Sequence, residues 1–228
     1  MLEATTYILN TFFFFIMFSL CLLVARSVIM SRKSDNNDSK KLWEREAEAN
    51  SVRKQDISKL NYILLPIDSL PMQSLIDIGE HKLHDELSAF ASIKALNLSA
   101  YTNTDLKLLY GPANLEELSR YDDNFTSLIR LLHKAGTVLS NANDTDSISQ
   151  PNGAIPESSQ IDAAIAFLEY AVSIGSDISG TYELLGTLYK QTGNNTAFDK
   201  LITSASKLTS LSRDVTISKL NNIKINSK

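Results

Sequence analysis

Apolar residues follow two rhythms along this chain. From Tyr7 to Ala25, YILNTFFFFIMFSLCLLVA, they run on without periodicity, and no Lys, Arg, Asp or Glu lies between Glu3 and Arg26. In a helix rising 1.5 Å per residue, such a run matches the ~30 Å hydrocarbon layer of a bilayer. It predicts a transmembrane helix over 7–30 behind a short stub at 1–6. A buried core helix would carry a polar stripe, whereas Asn10, Thr11 and Ser19 are scattered. A cleaved signal peptide would open on basic residues and close on a small-x-small site, and neither is present. Cys21 reads as one more apolar helix residue.

Downstream the rhythm becomes helical and amphipathic. SRKSDNND at 31–38 is polar enough to interrupt a helix, and Asp38 or Ser39 can cap a new one. The charged juxtamembrane helix expected across 31–60 has good helix formers and charge on every side, the composition of a solvated spacer. Its Trp43 suits either the headgroup zone or a contact with a neighbouring helix. Pro66 and Pro71 mark a connector at 61–71. Beyond it Leu75, Ile76, Leu83, Leu87 and Phe90 predict a helix within 72–93, buried on one face. Asn103 or Thr104 can cap DLKLLY, which Gly111-Pro112 ends; Asn114 with Glu117 has capping-box spacing; Asp122 or Asp123 can open a helix carrying Phe125, Leu128, Ile129 and Leu132. NANDTDSISQPNGAIPES at 141–158 reads as a loop inserted in an α-helical domain spanning 72–228. Strand-like alternation is scarce, so the fold class is all-α.

Charge places the ends. Lys and Arg are absent before Arg26, whereas Arg26, Arg32, Lys33, Lys40 and Lys41 follow the apolar run closely. By the positive-inside rule the N-terminus is outside and the C-terminal domain cytoplasmic. Asn37, Asn97, Asn124, Asn143 and Asn194 each begin an Asn-x-Ser/Thr triplet, which glycosylation would use only outside the cytosol. A chain this rich in Asn, Ser and Thr produces such triplets by chance, and the charge asymmetry is the stronger signal. Residues 26–60 hold nine Lys/Arg against six Asp/Glu, and residues 72–228 thirteen against eighteen. A basic neck suits anionic lipid, and the acidic domain excludes nucleic acid as a partner. One cysteine excludes a disulfide framework or a thiolate zinc site.

The most informative spacing lies between 161 and 193. Ala164, Leu168 and Ala171 form one seam; Tyr182, Leu185-Gly186, Tyr189 and Gly193 form another, aromatic-x-x-Leu-Gly-x-x-Tyr before a turn glycine. These residues resemble the second helix of one tetratricopeptide repeat and the first helix of the next. A shift of 34 residues carries the first seam onto Phe198, Ile202 and Ala205, with Phe198 departing from the expected small residue. The first helix expected before Ala164 would fall in the Pro-rich loop, so the helix within 124–140 is expected to take its place. Ile217, Leu220 and Ile223 suit a terminal capping helix. The whole chain, above all NTDLKLLYGPANL with IGSDISGTYELLGTLY, also resembles anchored single-pass membrane proteins of bacteria, the Gram-positive anaerobes, a likeness that implies no activity.

The tetratricopeptide resemblance implies a helical superhelix whose groove holds a peptide or helix of a protein partner. Lys190, Asn194 and Asn195 are the candidate groove contacts. The expected function is therefore protein–protein interaction by a membrane-tethered adaptor that is not an enzyme and needs no cofactor. Two other classes remain: a small structural subunit of a membrane assembly acting through the apolar helix, and a metal-dependent enzyme. The enzyme would rest on His81 and His84, three apart with Glu80 beside them, although catalytic helix motifs place two histidines four apart.

Overall fold

The computed structural model describes the backbone of residues 2–142, 157–208 and 212–226, with the side chains at 2–12, 15, 25, 27–38, 157 and 226 left undescribed. The described residues are helical without strands; an isolated antiparallel bridge pairs Ile63 with Ala95. They divide into two compact units, one drawn from Met1–Gln55 and Asn103–Ala113, the other from Asp56–Thr102 and Asn114–Lys228.

In the first unit, α1 runs unbroken from Leu2 to Ser51, ~75 Å at 1.5 Å per residue. Two expectations are corrected here. SRKSDNND does not interrupt the helix, and the charged segment leaves helical geometry at Ser51 instead of continuing to 60. Single polar residues cost a helix only a few tenths of a kcal/mol each, about 0.7 at most, too little to break one already propagating on both sides. α4 (Asn103–Tyr110) packs on the C-terminal part of α1. Arg45 meets Asp105 at 2.6 Å, Thr104 donates to Glu46 at 2.8 Å, and Lys107 pairs with the same carboxylate. Bonds from Lys107 and Thr104 hold the Glu46 carboxyl below its ordinary range. Trp43 is 75% exposed.

Among the described residues no helix is long and apolar enough to cross a membrane. The anchor expected over 7–30 falls in part on side chains at 7–12, 15, 25 and 27–30, which lie outside the described residues. Within it Phe13, Phe14, Phe18, Leu20, Leu22 and Leu23 are exposed.

The second unit holds the core. α2 (Gln73–Asp77) and α3 (His81–Ala89) replace the single helix expected within 72–93. Gly79 at φ +83 turns the chain between them, with Glu80 N–H bonding Leu75 C=O at 2.8 Å. Both pack on α5 (Leu115–Asn141), which is longer than the short helices expected over the same stretch. Asp122 does not open a helix there: its carboxylate accepts the Leu98 N–H at 3.0 Å. The capping box is also not formed, because Asn114 makes no side-chain cap bond and Glu117 instead accepts the Tyr121 hydroxyl at 2.6 Å.

α6 (Glu157–Ser173) lies along α5 at close range. A Cβ on Gly136 would sit 2.5 Å from the Leu168 side chain, so the bare glycine sets this approach. The inserted loop expected at 141–158 falls mainly on 143–156, outside the described residues. α7 (Ser179–Gln191) packs on α6, α8 (Asn195–Ala205) on α7, and α9 (Ser212–Asn226) on α7 and α8. Gly186 is the second close approach: a Cβ there would lie 2.7 Å from Leu220 and 3.1 Å from Phe198. Phe198 therefore fits where the repeat pattern expects a small residue, because the missing volume is on the facing helix.

Candidate functional site

The concave side of α6, α7 and α8 forms a cleft of about 730 Å³. α8 contributes Ala197, Lys200, Leu201 and Ser204, spaced so that they share one helical face; Lys207 and Leu208 continue it just past the helix end. α7 contributes Tyr182, Leu185 and Tyr189 at steps of three and four, and α6 contributes Glu169 with Val172 and Ser173, which lie three and four residues after it. The side chains from α7, with Leu201, form an apolar floor. Charge is confined to the walls, Glu169 and Asp177 on the α6 side and Lys200 and Lys207 on the α8 side.

The floor is fixed by buried hydroxyls. Tyr189 donates to Glu169 at 2.5 Å, and Tyr182 donates to the Ser176 carbonyl at 3.0 Å. Burial pushes the Tyr182 phenol up to about 12, with the nearby Asp177 charge adding to the effect. Burial and the bond to Glu169 raise Tyr189 as well, so both phenols stay protonated and act as donors. Neither is poised as a nucleophile or base near neutrality.

One end of the cleft is closed by the loop at Asn97–Ser99. Asn97 donates from Nδ2 to the Gly175 carbonyl at 3.3 Å and accepts from the Ser99 hydroxyl at 2.7 Å. Gly175 ends α6 at φ +92, with Ser176 N–H bonding Ala171 C=O at 2.9 Å. Any side chain at 175 would be strained by that φ and would meet Asn97 Nδ2 at 2.8 Å.

The eight residues expected to pack the repeat, Ala164, Leu168, Ala171, Tyr182, Leu185, Gly186, Tyr189 and Ala205, are all buried in this unit. The three expected groove contacts lie at the α7–α8 corner and do not line the cleft. Lys190 donates to Asn195 at 2.8 Å and lies 4.7 Å from the Phe198 ring centre. Asn194 caps α8 by accepting the Ala197 N–H at 3.1 Å. The cleft walls were missed. Lys200 and Lys207 look like an ordinary solvated face, and only their phase with Ala197, Leu201, Ser204 and Leu208 could have marked them.

Of the basic residues flanking the apolar run, Arg26, Lys40 and Lys41 are exposed, and Lys40 lies 3.7 Å from Glu44. Arg32 and Lys33 have side chains outside the described residues. His81 is exposed and His84 Nδ1 lies 3.1 Å from Asp85. Among the described residues no three His, Cys, Asp or Glu gather to hold a metal ion. No family model, curated protein or solved structure matches the chain.

Proposed function

We propose that this chain is a non-enzymatic, membrane-tethered adaptor whose tetratricopeptide-like helical domain holds a segment of a protein partner at the cytoplasmic face. The observation that carries this is the cleft, with an apolar floor, polar walls and tyrosines locked as protonated donors. The tether rests on the sequence, which has no charge from residue 4 to 25, and on the exposed side chains of Phe13, Phe14, Phe18, Leu20, Leu22 and Leu23. The orientation rests on the basic flank after the run. Two glycosylation triplets add support, because Asn97 and Asn124 donate from Nδ2, the atom a glycan would occupy, to the Gly175 and Lys94 carbonyls. A glycan on either nitrogen would crowd the carbonyl that it now meets.

A photo-crosslinking residue at Ser204, in the cleft, tests the adaptor in living cells against the same residue at exposed Arg130. A protein adduct specific to position 204 is expected. Adducts confined to lipid, or equal at both positions, would overturn it. The bare phenylalanines Phe13, Phe14 and Phe18 favour one second reading, a small subunit that assembles through its apolar helix. Exchange for an unrelated span discriminates: an adaptor keeps its adduct at 204, whereas a subunit of that kind loses its assembly.

A further inference from the structure

We propose that the cleft selects a short extended segment of mixed charge. An apolar side chain sits on the Leu185–Leu201 floor, an acidic residue faces Lys200 and Lys207, and a basic residue faces Glu169 and Asp177. This rests on the adaptor reading and names the partner's chemistry.

The charge arrangement carries it. α7 to α9 and their connections hold five lysines. The three that do not line the cleft are engaged: Lys190 with Asn195, Lys219 with Glu183 at 2.6 Å, Lys224 with Asp199 at 3.1 Å. The two that line it, Lys200 and Lys207, have no side-chain partner among the described residues, and neither has Asp177. Among the described residues Glu169 is bonded by the neutral Tyr189 hydroxyl and by no cation. No ion pair crosses the cleft among the described residues, because the apolar floor of α7 separates the two walls. Two charges of one sign therefore face two of the other across a low-dielectric floor, which sets up a field that a ligand of one sign cannot satisfy on both sides.

The dimensions favour an extended chain over a helix. A single helical turn, 5.4 Å long and 10–12 Å across, occupies roughly 420–610 Å³ with its side chains, so about 730 Å³ holds fewer than two turns. Lys200 lies on α8 and Lys207 just past its end, about two turns or ~10 Å apart at the helical rise. An extended segment covers that distance in about three residues at ~3.3 Å each, with alternate side chains turned to opposite walls. That alternation is what a cleft with one acidic and one basic wall reads.

The test uses the full chain in lipid nanodiscs and fluorescein-labelled synthetic nonapeptides. Each has a central Leu; one carries Glu and Lys on alternate positions around it, and the others carry only Glu, only Lys or only Gln. Anisotropy should show the mixed-charge peptide binding about tenfold or more tighter than each of the others. Lys200→Glu with Lys207→Glu, both at exposed positions, should cost that peptide about tenfold and make the all-Lys peptide the preferred one. Ser204→Trp, which plugs the cleft and leaves the charges in place, should weaken every peptide. Equal binding of all four peptides, unchanged binding in the charge-reversed chain, or preference for a free dipolar amino acid over the nonapeptides overturns the proposal. Absence of peptide binding together with a protein adduct at 204 overturns this segment and leaves the adaptor standing; loss of both removes the adaptor as well.

Discussion

Phenylalanines have opposite fates in two regions of this molecule. In α1, Phe13 and Phe14 are 66% and 70% exposed, whereas Phe167 on α6 and Phe198 on α8 are fully buried. In the second unit, apolar residues alternate with polar ones at helical spacing, and a glycine lies where two helices approach. The chain covers its own apolar surface there. In α1 they are continuous, and among the described residues Phe13, Phe14, Phe18, Leu20, Leu22 and Leu23 stay exposed. Burying one such side chain is worth about 1.5–3 kcal/mol. A run of this kind left in water is strongly unfavourable, and the proposed tether would cover it with lipid. One region folds on itself; the other is the stretch on which the proposed tether rests.

The largest effect should come from charging α1. Leu20→Arg with Leu23→Arg places two cations in the apolar run at about 2.5–3.5 kcal/mol each on an insertion scale. The protein should then move from the carbonate-resistant membrane pellet to the supernatant, while far-UV ellipticity of its helices persists. Retention in the pellet would break the comparison at its first step.

Next in size is the same truncation made in both regions. Phe198→Ala empties a filled space beside Gly186 and should lower the unfolding free energy by about 3–5 kcal/mol. Phe14→Ala should leave the urea midpoint of the full chain in detergent unchanged, since no protein packing is lost. A matching loss at Phe14 would show that α1 is covered by protein.

Adding volume sharpens the contrast inside the packed region. Gly136→Val and Gly186→Val push side chains into Leu168 and into Leu220 with Phe198, and each should cost about 1–3 kcal/mol by urea denaturation. Gly193→Ala also acts in a helix-ending turn, at φ +72, but meets nothing within 4 Å. It should cost less than either, through backbone strain alone.

Much of the packing was legible because helical burial has a fixed period. Leu83 and Leu87, Leu128 and Leu132, or Tyr182, Leu185 and Tyr189 can hardly face anything but a core once the chain is helical. Capping was less legible. Asp122 and Asn114 are residue types that end helices, yet the same oxygens serve equally well as acceptors for a distant N–H, and the fold uses Asp122 for Leu98. Gly79 is the reverse case: a helix tolerates glycine at ~1 kcal/mol, so the sequence spacing runs through it while the structure turns there. The cleft was least legible. Lys200 and Lys207 reach the cleft through the way α8 is rotated against α6 and α7, whereas Lys219 and Lys224 lie on α9 and pair with Glu183 and Asp199. Rotation is set by volumes such as Phe198 against Gly186, a pairing that spacing alone does not reveal.

The smallest effect concerns pH and again separates the regions, because His133 lies in the packed one. Its ring packs on the first turn of α7, where a Cβ on Gly180 would lie 3.2 Å from Cε1, and Nδ1 is 3.2 Å from the hydroxyl of buried Thr181. Burial holds the His133 pKa below its ordinary value of 6.5, and the positive end of the α7 dipole acts in the same direction. A histidine whose folded pKa is depressed binds fewer protons folded than unfolded. Its stabilising contribution is therefore complete above pH 6.5 and is lost as pH falls through the lower folded value. Urea midpoints of the full chain should drop between pH 7.5 and pH 5, and His133→Gln should flatten part of that drop. Leu20→Arg with Leu23→Arg should leave the slope as it was. Equal slopes in wild type and His133→Gln would assign the pH dependence to other groups.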